Sequence, residues 1–203
     1  MKRAVIYIHG KGGNVDEAKH YEGIFKGDTV IGFDYKAQTP WEAKKEFSEY
    51  FNIISEVFDS VSIIANSIGA YFSMAALHDA PIERAFFISP IVDMEKLIED
   101  MMKWSGVTDV QLERQEEIST SFGETLSWEY LSYIRENPPK WDKTTDILYG
   151  SEDNLTSYKT ILNFSEKAGR TLTVMDSGEH WFHTEEQMRF LDSWMREARE
   201  RNF

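Results

Sequence analysis

The chain has 203 residues, of which 41% are hydrophobic and 14% aromatic, enough for the packed core of one substantial domain and unlike a disordered chain. Its 35 acidic and 22 basic residues give a net charge of −13, which argues against nucleic acid or an anionic membrane surface as partner, since both need clustered Lys and Arg. Cysteine is absent, which excludes disulfides, thiolate catalysis and Cys-based zinc sites, and no run of about 18 apolar residues offers a membrane span. The first residues enter a strand-like run without the charged-then-apolar layout of a signal peptide, so a cytoplasmic protein is expected.

In chain order, Ala4-Val5-Ile6-Tyr7-Ile8 reads as a strand and is followed by the glycine-rich loop His9-Gly10-Lys11-Gly12-Gly13. Val30-Ile31-Gly32-Phe33 is a weaker strand. A helix is expected from Trp41 to about Phe58, with Phe47, Phe51, Ile54 and Phe58 at helical spacing. Val61-Ser62-Ile63-Ile64 is the third strand and Ala85-Phe86-Phe87-Ile88 the fourth. Ile147-Leu148-Tyr149 and Thr171-Leu172-Thr173-Val174-Met175 supply two more. A final helix begins at the capping box Thr184-Glu185-Glu186-Gln187, with Met188, Leu191 and Met195 on one face. Strands alternating with helices predict a three-layer α/β fold, a mainly parallel sheet with helices on both faces.

From about 93 to 139 the alternation stops and the pattern is helical only, with Leu97, Ile98, Met101, Met102 and Trp104 first. Leu126, Trp128, Tyr130, Leu131, Tyr133 and Ile134 follow. This is too long for one crossover, and we expect a helical cap inserted into a single domain spanning 1–203. Trp104, Trp128 and Tyr130 hint at an apolar or aromatic group bound there.

Parallel sheets bind ligands at the carboxyl ends of their strands. At one such end stands Ala65-Asn66-Ser67-Ile68-Gly69, between the third strand and a helical run. Small residues two before and two after a serine allow the tight turn that exposes a nucleophile. Taken alone, Ser67 is equally a helix N-cap. Serine needs a base, and the base an orienting acid. Asp153 follows the strand ending at Tyr149, and His180 follows the last strand, both in loops at the same sheet end. Glu152 and Asp176 are rival acids with poorer loop positions. His183 is a rival base, but it directly precedes the capping box and is expected to begin the helix; beyond that preference the choice stays open. An oxyanion needs preorganised donors, and the N–H groups of Lys11 and Ile68 are the expected pair. The loop after the first strand lacks the Lys-Ser/Thr pair of a phosphate-binding loop. His9 reads as part of the turn, and His20 and His78 carry no motif. His180 and His183 lack the HExxH pattern, so no metal is expected, and no cofactor.

With the four motifs His9-Gly10-Lys11-Gly12-Gly13, Ala65-Asn66-Ser67-Ile68-Gly69, Gly150-Ser151-Glu152-Asp153 and Gly178-Glu179-His180-Trp181-Phe182 in this order, the chain resembles small serine hydrolases of the α/β-hydrolase fold. The resemblance covers almost the whole chain apart from the helical insertion. It implies Ser67 as nucleophile, Asp153 as acid and His180 as base, acting on an ester-type bond of a small molecule. The sequence departs from the usual pattern in having Ala65 for the first glycine and Asn66 where His, Asp or Gln often stands. Amide, thioester or C–C bond hydrolysis would use the same residues, and a ligand-binding protein that has lost its reaction would keep the same fold.

Overall fold

A computed structural model describes residues 1–167 and 169–201. Six strands form one sheet: β1 (Arg3–Ile8), β2 (Thr29–Gly32), β3 (Ser60–Asn66), β4 (Ile82–Ile88), β7 (Thr145–Gly150) and β8 (Arg170–Met175). Their order is β2-β1-β3-β4-β7-β8, and every neighbouring pair is parallel. All the loops that follow these strands therefore emerge along the same edge. β1 lies between β2 and β3, so the chain steps first to one side of β1 and then to the other, and the loops after β1 and β3 flank a crevice.

The four central strands, β1, β3, β4 and β7, are largely buried on both faces, as parallel strands covered by helices must be, while the edge strands β2 and β8 are partly exposed. Side chains alternate across the sheet. Val5, Tyr7, Ile64, Phe86, Ile88, Leu148 and Met175 share a core with Leu191, Trp194, Met195 and Ala198 of α8 (Glu185–Glu200). Tyr21, from the short helix α1 (Lys19–Glu22), joins the same core with Ile24 and Phe25. The other face meets α2 (Pro40–Val57) and α3 (Ile68–Ala76), where Phe33, Phe47, Phe51 and Phe72 form an aromatic cluster. Each such ring contributes on the order of 1.5–3 kcal/mol through burial.

The start of α2 follows from its sequence. Thr39 accepts from the Glu42 N–H, the Glu42 carboxylate accepts from the Thr39 N–H, and Pro40 occupies the first turn, where no N–H is needed. Phe47, Phe51 and Ile54 then recur on the buried face. In α8 the same device operates between Thr184 and Gln187.

The chain divides into two compact units: Met1–Val92 together with the chain from Lys140 onward, and Asp93–Pro139. The second unit is not helical only, as the sequence pattern suggested. It contains α4 (Met94–Ser105), α5 (Asp109–Gln115) and α6 (Trp128–Glu136), but between α5 and α6 lies an antiparallel hairpin, β5 (Glu117–Ser119) and β6 (Thr125–Ser127). Leu126, expected on a helix, is a buried hairpin residue. The hairpin turns at Gly123 with φ 89°, and the Thr120 hydroxyl donates to the Glu124 carbonyl across the turn. Strands of three residues leave too little alternation for a periodic signal. Within this unit Arg135 of α6 pairs with Glu95 of α4 and Asp109 of α5. A further helix, α7 (Tyr158–Ser165), begins at Ser157 after the β7 loop.

At the opposite end of the sheet from the loop edge just described, the Asp146 carboxylate of β7 is fully buried between Arg84 and Arg201. Arg84 donates from Nε at 2.9 Å and Nη2 at 2.6 Å, and Arg201 from Nη1 at 2.7 Å. Removing a buried partner strands the opposing charge, so Asp146→Ala should lower unfolding free energy by about 3 kcal/mol, at the low end for a broken buried pair because Arg201 is partly in water. Urea unfolding monitored by circular dichroism measures this, and a wild-type midpoint would contradict it.

Candidate active site

Ser67 sits between β3 and α3 with φ 52° and ψ −118°, in the region that side chains other than glycine rarely enter. It occupies the N-cap position of α3 yet makes no capping hydrogen bond with its side chain. Its backbone is held from β4: the Ser67 N–H donates to the Ile88 carbonyl at 3.0 Å, and the Ile91 N–H donates to the Ser67 carbonyl at 3.2 Å. The hydroxyl instead lies 2.9 Å from Nε2 of His180. Nδ1 of the same ring lies 2.7 Å from Oδ2 of Asp153, whose side chain is fully buried. A neutral imidazole with its proton on Nδ1 satisfies both contacts: it donates to the carboxylate and accepts from the hydroxyl.

The loops carrying Asp153 and His180 follow the adjacent strands β7 and β8. They approach through glycines: a Cβ on Gly150 would lie 2.3 Å from the Gly178 carbonyl oxygen. The Glu152 N–H donates to that same carbonyl at 2.8 Å, and the Ser177 N–H donates to the Ser151 hydroxyl at 2.8 Å. The loop after β1 closes against the Ser67 turn in the same way. A Cβ on Gly10 would stand 3.2 Å from the Ser67 Cβ, and one on Gly69 only 2.6 Å from the His9 carbonyl oxygen. Gly12 takes φ 76°, and the Gly13 N–H donates to the Gly10 carbonyl at 3.1 Å. Lys11 therefore lies in a tight turn beside Ser67. Ile68 is the first residue of α3, where backbone N–H groups have no acceptor within the helix.

The other residues singled out in the sequence stand apart. His183 is exposed; its Nδ1 lies 2.7 Å from the Trp181 carbonyl and its N–H donates to Gln187 at the start of α8. Glu152 and Asp176 are exposed. His9 stacks on Tyr35 with ring centroids 4.3 Å apart, and the Tyr35 hydroxyl donates to the His9 carbonyl. His20 pairs with Asp192 at 2.6 Å. Among the described residues no group of three or more His, Cys, Asp or Glu is arranged to hold a metal ion, and no helix is long and apolar enough to cross a membrane. In the second unit Trp104 meets Phe122 edge-on at 6.1 Å, and Trp128 lines a cavity of about 470 Å³ with Glu116, Glu117 and Glu129.

Sequence reasoning missed Thr156, which donates its backbone N–H to Oδ1 of Asp153 at 2.9 Å, alongside Leu155 at 2.8 Å. An aspartate whose carboxylate accepts from the second and third N–H groups after it makes an Asx-type turn; a loop aspartate at Asp153 signals such a turn, but the donors are backbone groups and leave no mark at Thr156.

No protein-family model matches the sequence, and no curated protein does. Solved structures do. Est1E from Butyrivibrio proteoclasticus matches with a TM-score of 0.73 at 15% identity, over 98% of this chain and 86% of its own. Alpha/beta hydrolase domain-containing protein 10 from mouse matches with a TM-score of 0.73 at 13% identity, over 97% and 89%. The esterase EaEST from Exiguobacterium antarcticum matches with a TM-score of 0.64 at 15% identity, over 98% and 92%. The chain has the α/β-hydrolase fold.

The approach of the β1 loop to the Ser67 turn leaves no room at Gly69. Gly69→Ala should destabilise the protein by about 1–3 kcal/mol, the usual cost of overpacking. Thermal unfolding measures this, and an unchanged melting temperature would show that the two backbones can separate freely.

Proposed function

We propose that this protein is a serine hydrolase that cleaves an ester-type bond of a small molecule through an acyl-enzyme on Ser67. The observation that carries this reading is the continuous hydrogen-bonded line from the Ser67 hydroxyl through His180 to Asp153, at 2.9 and 2.7 Å. These distances fall within the range that proton transfer requires. The fold shared with esterases such as EaEST agrees with it.

In this mechanism Nε2 of His180 takes the Ser67 proton as Oγ attacks the substrate carbonyl. The carbonyl oxygen becomes an oxyanion, and the N–H groups of Lys11 and Ile68 receive it. Their loops are fixed beforehand by the close glycine packing, so little reorganisation accompanies the charge change. Asp153 keeps the proton on Nδ1 and stabilises the imidazolium. His180 then protonates the leaving alcohol, the ester C–O bond breaks, and an acyl-Ser67 ester remains. Water deprotonated by His180 attacks that ester, and Ser67 recovers its proton as the acid departs. No metal or organic cofactor enters any step. The net charge of −13 favours a small substrate over nucleic acid or an anionic membrane surface.

The test is labelling with a fluorophosphonate probe and turnover of short aryl esters, with thioesters, amides and a feruloyl ester added to fix the bond type. The last is included because Est1E has been seen with ferulic acid bound. Ser67→Ala should abolish labelling and lower kcat by at least about 10⁴-fold, as nucleophile removal does in serine proteases. Wild-type labelling and turnover in that variant would exclude Ser67 as nucleophile. A wild type that is silent towards every substrate yet binds ligand would favour a binding protein on this fold.

A further inference from the structure

The nucleophile and the acid stand on β3 and β7, which do not touch, because β4 lies between them. The Asx-type turn fixes Asp153 relative to its own loop but says nothing about its distance from Ser67. The link between them runs through the segment after β4. There the Ser89 N–H donates to the Leu148 carbonyl of β7 at 2.8 Å, while Ile88 and Ile91 hold the backbone of Ser67. Pro90, between them, is buried and offers a carbonyl that needs a donor.

Thr156 supplies that donor. Its hydroxyl donates to the Pro90 carbonyl at 3.2 Å, its backbone N–H donates to Asp153 Oδ1 at 2.9 Å, and its own carbonyl accepts from the Tyr149 hydroxyl at 2.8 Å. The Tyr149 hydroxyl is pushed up to about 12, chiefly by burial and then by the nearby Asp153 charge, so it remains a donor. Thr156 is itself buried, and a valine would fill the same volume. A buried hydroxyl is unfavourable unless it is bonded, and here its bond reaches across to the segment that grips Ser67.

We propose that Thr156 is a positioning residue of the hydrolase, holding Asp153 in register with Ser67 through the Pro90 carbonyl. The proposal rests on the serine-hydrolase reading above. The link acts on the geometry of the Ser67–His180–Asp153 line rather than on substrate binding, so its loss should lower kcat and leave KM unchanged.

The experiment compares Thr156→Val, which removes the hydroxyl at constant shape, with Thr156→Ser, which restores it. Thr156→Val should lower kcat for an aryl ester by about 10-fold or more, within the roughly 100-fold that small misplacements cost. Its KM should stay within about twofold of wild type, the pattern of a lost transition-state interaction. Thr156→Ser should recover most of kcat. In proton NMR, the downfield His180 Nδ1–H resonance, assigned by its loss in His180→Ala, should broaden or vanish in Thr156→Val and return in Thr156→Ser. Wild-type kcat and an unchanged resonance in Thr156→Val, even with a lower melting temperature, would reduce Thr156 to a packing residue. Should Thr156→Val fail to fold, Tyr149→Phe loosens the same residue from its other side, and the same pair of readouts decides. If the wild type turns over no substrate, the hydrolase reading fails, and the NMR comparison still decides whether Thr156 holds the Asp153–His180 contact.

Discussion

The backbone of Ser67 is the constraint on which the rest of the site depends. At φ 52° and ψ −118° a residue with a Cβ is strained by on the order of 1–3 kcal/mol, and the strain persists only where neighbours over-determine it. Here the β4 end bonds both the N–H and the carbonyl of Ser67. The strain turns the hydroxyl away from the helix terminus it would otherwise cap and towards His180. Ala65 fits the same logic. It lies on β3 between Ile8 of β1 and Phe87 of β4, fully buried, so the position requires a small side chain and tolerates one methyl where glycine is usual.

Strand order distributes the chemistry. Ser67 and the Lys11 loop meet where β3 and β1 adjoin, while Asp153 and His180 follow the neighbours β7 and β8. Each pair is drawn together by glycine: Gly10 and Gly69 in the first, Gly150 and Gly178 in the second. The imidazole of His180 joins the pairs from above the sheet edge, and the segment after β4 joins them at backbone level. Two independent close approaches spanned by two connections make a framework in which a shift in either loop is felt at the Ser67–His180 distance.

How much of this was legible in the sequence follows from the range of each interaction. Ser67, Asp153 and His180 could be placed after strands because apolar β-branched runs and glycine punctuation are local signals. The capping boxes at Thr39 and Thr184 are equally local. The β5–β6 hairpin escaped because Leu126 and its neighbours satisfy helical spacing as well as a short strand does. The part of Thr156 was invisible for a different reason: its acceptor, Pro90, is 66 residues away and presents only a backbone carbonyl, which has no sequence signature. Side chains that act on distant backbone are the class of interaction that pattern reasoning misses.

The loop after β1 shows how such tertiary contacts convert a flexible glycine-rich segment into a rigid one. Three glycines, Gly10, Gly12 and Gly13, would otherwise cost this loop more ordering entropy than any other residues, so something must hold it. Tyr35 donates to the His9 carbonyl and stacks on its ring; the Glu17 carboxylate accepts from the Asn14 N–H and from the Tyr7 hydroxyl. Gly13 leaves room for that carboxylate, since a Cβ there would stand 3.1 Å from both of its oxygens. Burial above all raises the Tyr7 hydroxyl well beyond its ordinary pKa, so it stays protonated and remains a donor. The glycines thus permit the turn, while the aromatic hydroxyls and Glu17 fix it. In the proposed mechanism, donors fixed in this way meet the developing negative charge without first having to move.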